Sequence, residues 1–565
     1  MKRREFIEKS LLAGMAPFVL NSVPIRLLGG QTMLEQMAAN SCNDNVLVIL
    51  QLHGGNDGVN TLVPLEDLKS GLYQFVRPNI ALGNTGNARG VVSLDATIGA
   101  RNVGLHPDMI GIKNMYDAGK MSILQSVSYE NHNQSHFRSR DIMFMGGGNN
   151  DYLDSGWVGR YLKNEIAPKT YPQDFPNSEN KDPLALEFGN EISLLFHQGA
   201  SIPTSVSISD PQSFFNLVDK LPGFEDKPNV DPRGLPPTNL EGSKYAKELH
   251  WILDLEAKTE DYHSRLLETY NAGKAKTKNV VYPEQYPFTA PTRWLKNPLS
   301  GQLQIVSNLI DGGSKTKVFL LKIGGFDTHA NQSISSNTSM GIHATLLYHI
   351  SSAMEAFQED LKRRGLDYKV LTLTTTEFGR RVKSNGSFGT DHGIAAPMFI
   401  FGKNVLPGVL GNAPDLNKEN VDMQFDYRQV YASIMKDWFC VDPAFVDSQL
   451  FMGNYTGKGT KLPIINTAAV GVEDFISSRY KLNSCFPNPA KDSTVFSFYL
   501  NGAQEASFRI LDIEGREVKI LFQNKRFAAG EHTMEIDLTE YKKGTYLYEL
   551  KAGSVLQDTK RLLIL

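Results

Sequence analysis

The sequence predicts an α/β body with a mostly parallel central sheet flanked by helices, followed by a small all-β sandwich. Continuous apolar runs alternate with helical patterns over most of the chain, and from about Lys481 the pattern changes to a period of two. The length, 565 residues, exceeds the roughly 100–150 of a typical domain, so more than one folding unit is expected.

Residues 1–40 read as an address. A basic start, Met1-Lys2-Arg3-Arg4, precedes the apolar stretch Leu11–Leu20, which is too short to span a bilayer. Adjacent Arg3 and Arg4, followed by Phe6 and Ile7, resemble a twin-arginine signal, which implies export by the twin-arginine translocase. No later run approaches the roughly 20 apolar residues of a membrane span, so none is expected in the mature protein.

The body is expected over 41–475. It opens with Asn45–Leu52, a run suited to a strand covered on both faces. Similar runs are Ser122–Val127, Val318–Ile323, Lys369–Thr374 and Met398–Phe401, while His343–Leu361 carries the clearest helical spacing. Strands alternating with helices imply a parallel sheet, whose functional groups gather at the carboxyl ends of the strands. The third unit, 476–565, contains Ser493–Leu500, Ala506–Asp512 and Thr545–Lys551 as alternating strands, with Glu514-Gly515 and Lys543-Gly544 as turns.

Composition excludes several classes. The formal charge of -3, from 58 basic and 61 acidic residues, provides no basic stripe for nucleic acid. The three cysteines form no CxxC pair, so zinc-ribbon and redox motifs are absent. Asn385–Gly389 has an asparagine where a nucleophile elbow needs glycine, and Gly453–Gly459 is one residue short of a P-loop.

Four strand ends bear chemistry. The first run leads into His53-Gly54-Gly55-Asn56-Asp57, and the Val318 run into Gly324-Gly325-Phe326-Asp327-Thr328-His329. The Lys369 run ends in Thr376-Glu377-Phe378-Gly379-Arg380-Arg381, and Asp391-His392 precedes the Met398 run. Each alone also suits a plain turn or cap. Together Asp57, Asp327, His329, Glu377, Asp391 and His392 form a ligand set for one or two divalent metals; zinc, manganese and calcium all suit it. After the Ser122 run, Ser135 opens a helix ending at Gly146 and is read both as N-cap and as nucleophile. His132 and His136, one helical turn apart, offer further ligands, and Arg140, Arg380 and Arg381 are candidates to clamp an oxyanion.

Gly54–Pro64, Ser135–Phe137, Gly156–Leu162, Gly324–His329, Thr376–Arg380 and Asp391–Gly393 together resemble a bacterial family catalogued as domain of unknown function 1501. That family is similar to the alkaline-phosphatase and sulfatase superfamily, so the resemblance implies an alkaline-phosphatase-like body with a metal site for phosphate or sulfate esters. Carried over, Asp57 and Asp327 match acidic ligands and His392 the last histidine ligand. The superfamily's histidine four residues after the central aspartate is Asn331 here, with His329 earlier, and Glu377-Phe378 stands where Asp-His is usual. The implied function is a secreted metal-dependent hydrolase with Ser135 and Arg380 at the reaction, acting on a small ester or a surface glycan. The alternative is a non-catalytic surface binding or structural protein that keeps the fold. Phe486–Ala490, Leu511–Val518, Gly544–Tyr546 and Lys560–Leu565 resemble a type IX secretion sorting domain. This implies passage through the type IX machinery, periplasmic in transit and then extracellular or at the cell surface.

Overall fold

The computed structural model describes residues 44–94, 102–189, 192–199, 202–208, 264–276, 279–467, 485–500, 504–513, 516–528, 530–552 and 556–565, with Val19–Leu20, Val23–Pro24, Tyr262 and Tyr480–Leu482 besides. The leader expected over 1–40 falls outside them but for those two short pairs.

Among the described residues, nine strands build the central sheet: β1 Val46–His53, β2 Met121–Ser128, β3 Ala185–Phe188, β4 Ser205–Ile208, β5 Val318–Gly324, β6 Val370–Thr375, β7 Ala396–Phe401, β8 Gly408–Leu410 and β9 Phe425–Asp426. Their order is β8-β2-β7-β6-β1-β5-β3-β4, with β9 also on β2. Along β1, Val46, Val48, Leu50 and Leu52 enter one core, and Leu47 and Ile49 the other. The first core takes helices α1 Ile110–Asp117, α4 Pro298–Asp311 and α5 Ile342–Arg364; the second takes α2 His136–Met145, α3 Trp157–Ile166 and α6 Tyr427–Asp437. Apolar cover on both faces is why these strands read as unbroken hydrophobic runs.

One strand departs from the parallel expectation. β7 runs antiparallel to both β6 and β2, whereas β1 pairs parallel with β5 and β6. Parallel return needs a long crossover, usually helical, and no helix lies among 376–395. The chain therefore turns straight back, which brings the start of β7 to the edge where β1, β5 and β6 end.

Beyond the body, β10 Tyr480–Leu482, β11 Ser493–Leu500 and β14 Gly530–Asp537 form one antiparallel sheet, ordered β10-β11-β14. β12 Gln504–Asp512, β13 Glu517–Phe527, β15 Gly544–Ala552 and β16 Leu556–Ile564 form a second, ordered β13-β12-β15-β16. Alternate residues of β11 are buried, and Phe496 and Phe498 meet Phe508 and Tyr548 of the other sheet in one core. Cys440 is disulfide-bonded and Cys485 is free and buried.

Candidate metal centre

The loop after β1 is built on two glycines. Gly54 and Gly55 have φ of 125° and 84°, which side-chain-bearing residues rarely adopt. A Cβ on Gly54 would overlap the Asp327 amide, and one on Gly55 the Phe378 ring. The loops after β1, β5 and β6 can therefore press together. Arg380 fastens them: its fully buried guanidinium donates to the carbonyls of Gly54, Gly55, Phe326 and Thr390, and to Asp327 Oδ1 at 2.8 Å.

At this edge three imidazoles surround one carboxylate. The Nε2 atoms of His329, His136 and His392 lie 3.3, 3.7 and 3.8 Å from Asp327 Oδ1. Among the described residues, His136, Asp327 and His392 offer ligand atoms all within 4.8 Å of one another. Each ring is anchored through its other nitrogen. His136 Nδ1 donates to Glu377 Oε1 at 2.9 Å, His392 Nδ1 to the Gln134 carbonyl at 2.9 Å, and His329 Nδ1 to Asp391 Oδ1 at 3.4 Å. Carbonyls and carboxylates only accept, so in the neutral rings the proton sits on Nδ1 and the Nε2 lone pair faces inward. His392 Nε2 is buried without a hydrogen-bond partner. Phe378 packs against His392 and His136 at ring distances of 4.5 and 4.7 Å, which fixes the ring planes.

The electrostatics suit a cation. Burial pushes the Glu377 carboxyl up, but the His136 hydrogen bond, backbone amide hydrogen bonds and the nearby His53 together outweigh it and hold Glu377 below its ordinary value. Burial likewise raises Asp327, and the Arg380 hydrogen bond and charge bring it below its ordinary value. Asp391 is lowered first by the Asn385 hydrogen bond. Burial, then the Arg380 charge, lowers His392, so its ring is neutral at pH 7. Ionised carboxylate and neutral imidazoles are the forms that ligate a metal, and these residues fit a divalent cation.

Other expected residues lie elsewhere or are otherwise engaged. The Asp57 carboxylate is fully buried, paired with Arg77 at 2.6 Å and accepting from Gln332 at 2.6 Å; Gln332 in turn accepts from Thr328 and Thr390. Asp57 thus clamps the loops from behind. Glu377 stands one bond back from the cage, orienting His136 and accepting from the Gly54 amide at 2.8 Å. Ser135 is exposed and caps α2, accepting from the Arg138 amide at 3.5 Å, and Gly146 ends that helix with φ 75°. Arg380 serves the loops rather than open space. Arg381 pairs with Glu419, and Arg140 with Asp141 beside Phe137. His132 stacks on Tyr129 and, among the described residues, joins no ligand group. His53, not singled out as a ligand, is exposed at the rim, its Nδ1 3.6 Å from Glu377 Oε1.

Comparison with known proteins adds the following. Residues 309–453 match the family described as "Protein of unknown function (DUF1501)", and residues 484–565 the "Secretion system C-terminal sorting domain". No curated protein matches the chain in sequence. Among solved structures, dimeric latent PorU from Porphyromonas gingivalis aligns at 20% identity and TM-score 0.13, over 15% of this chain and 9% of that one. An alkaline phosphatase superfamily protein from Vibrio parahaemolyticus aligns at 9% identity and TM-score 0.34, covering 91% and 83% of the two chains. The PsFucS1 sulfatase from Pseudoalteromonas sp. aligns at 10% identity and TM-score 0.31, covering 89% and 88%. No helix among the described residues is long and apolar enough to cross a membrane, and a C-terminal sorting domain implies export to the cell surface or beyond. The chain thus carries a DUF1501 domain within its α/β body and a type IX sorting domain at its end.

Proposed function

We propose that the protein is an exported, metal-dependent hydrolase of phosphate or sulfate esters, sent out by the twin-arginine translocase and then the type IX machinery. One observation carries this reading: three inward-facing imidazole nitrogens and Asp327 converge at an open sheet edge. His136, His329, His392 and Asp327 would hold the cation, which when bound supplies Lewis acidity toward a phosphoryl or sulfuryl oxygen. Glu377, Asp391 and the Gln134 carbonyl keep the three rings oriented for it. His53, exposed on the loop after β1 with its ring 6.3 Å from that of His136, serves to hand a proton to the departing alkoxide. The nucleophile is Ser135 or water.

The test is release of nitrophenol from para-nitrophenyl phosphate and para-nitrophenyl sulfate by the purified mature protein with added divalent cation. We expect turnover that a chelator abolishes and Asp327→Asn removes. A folded, metal-loaded protein silent on both esters overturns this reading in favour of a non-catalytic surface binding protein. One observation favours that second reading: Ser135 and Arg380, the residues expected to act on substrate, both make structural bonds.

A further inference from the structure

We infer that the cage takes a single, nitrogen-preferring divalent cation of the zinc class, with His329 as the fourth donor, and that the carboxylates a second cation would need are already held by buried arginines or by hydrogen bonds. The inference rests on the metal-dependent reading above and narrows it to one ion of one chemical class.

The donor set decides the class. Calcium takes about six to eight oxygens and magnesium an octahedron of mostly oxygens. Here three of the four inward donors are imidazole nitrogens, and each nearby carboxylate already has one oxygen engaged. Glu377 Oε1 accepts from His136 and from the Gly54 amide. Asp391 Oδ1 accepts from Asn385 and His329. Asp57 Oδ2 is held by Arg77 and Gln332. Asp327 is the acid that faces all three rings: its Oδ1 is shared with Arg380, and half of its side chain is exposed. Three imidazoles and one carboxylate suit zinc and its borderline neighbours.

Distance supports the same class. Two donors on one tetrahedral zinc ion, at bond lengths near 2.0–2.1 Å, stand about 3.3 Å apart. The observed Nε2–Oδ1 separations are 3.3, 3.7 and 3.8 Å; His136, Asp327 and His392 already stand within 4.8 Å of one another, and His329, which lies outside that group, joins them by a movement of its exposed ring. His329 makes the shortest of these approaches, and its Nδ1 partner Asp391 gives it the carboxylate–imidazole arrangement that His136 has with Glu377.

Charge limits the number. The one acidic donor of the cage is Asp327, and Arg380 already offsets it at 2.8 Å. Glu377 and Asp391 stand next to it with an oxygen each committed to ring and amide hydrogen bonds, and Asp57, behind them, is offset by Arg77 at 2.6 Å with both side chains fully buried. A second dication would have to share carboxylates already paired with these two guanidinium groups or with the rings. Neutral imidazoles, by contrast, hold one zinc ion without needing further anions.

The experiment equilibrates the purified full chain with zinc or cobalt, in the presence of excess calcium and manganese, then measures bound metal per chain by elemental analysis. We expect one zinc or cobalt per chain, with the intense visible bands of four-coordinate cobalt. His329→Ala, checked for an unchanged melting temperature, should weaken cobalt binding by at least the roughly 10–100-fold that loss of an outer partner causes, and should alter those bands. Two ions per chain, or calcium retained in preference, overturns this inference while leaving a metal-dependent protein. Cobalt affinity and spectrum unchanged in His329→Ala removes His329 as fourth donor. No bound cation under any condition overturns both readings.

Discussion

Asp57 and Asp327 each follow a parallel strand of one sheet, and as sequence they invite the same interpretation. Their surroundings separate them: Asp57 is sealed against Arg77, while Asp327 faces three imidazoles and solvent. Breaking a buried ion pair leaves an uncompensated charge and costs about 3–5 kcal/mol. Asp57→Asn should therefore lower the unfolding free energy from urea titration by an amount of that order, while the refolded protein is expected to keep its capacity for metal. Glu377→Gln should do the reverse, leaving the melting temperature nearly intact and weakening metal affinity about 10–100-fold in a competition titration, because it frees the His136 ring. The sequence showed which acids and histidines end strands. It did not show Arg77, which belongs to no motif and reaches Asp57 only through the fold. Nor did it show that Arg380 would be consumed by backbone carbonyls, since a guanidinium reads alike whether it binds substrate or loops.

Among the elements, the strands on either side of the cage were legible because two-sided burial leaves continuous apolar runs, and α2 because Ser135 and Gly146 mark its ends. The direction of β7 was not, for an apolar run carries no sign of orientation; only the missing crossover helix in 376–395 betrays the reversal. That reversal is what joins Asp391 and His392 to ligands that follow strands. The loop after β1 is the other decisive element. Gly54→Ala would place a side chain at φ 125° against the Asp327 amide, and strain of this kind costs of order 1–3 kcal/mol. We expect a matching loss in denaturant stability together with loss of bound metal, since the loop that carries Asp327 is displaced.

For the whole molecule, buried neutral histidines set the acid limit. Burial, the main cause, brings His343 from 6.5 down to about 4, and His106 is pushed well below its ordinary value by burial as well. The unfolded chain then binds more protons than the folded one across this window. Stability is full above about pH 6.5 and falls as pH drops toward 4, by at most about 3 kcal/mol from His343. Urea midpoints measured between neutral pH and pH 4.5 should fall steadily; a flat profile would remove His343 from this role. The tail acts at the same scale. It has its own buried core, so a chain ending before 484 should fold its body and bind metal yet remain inside the cell envelope, as fractionation would report.

The cage joins parts of the chain that are far apart in sequence: His136 meets Glu377 across 241 residues, and the Gln134 carbonyl meets His392 across 258. Such non-local closure comes late in folding. No nascent fragment ending before His392 owns the complete cage, so on the proposed metal-dependent reading ion capture would follow assembly rather than guide it. An ion that binds only the finished body stabilises it against partly folded forms by mass action, and its retention after purification reports how much of a preparation has reached the native state.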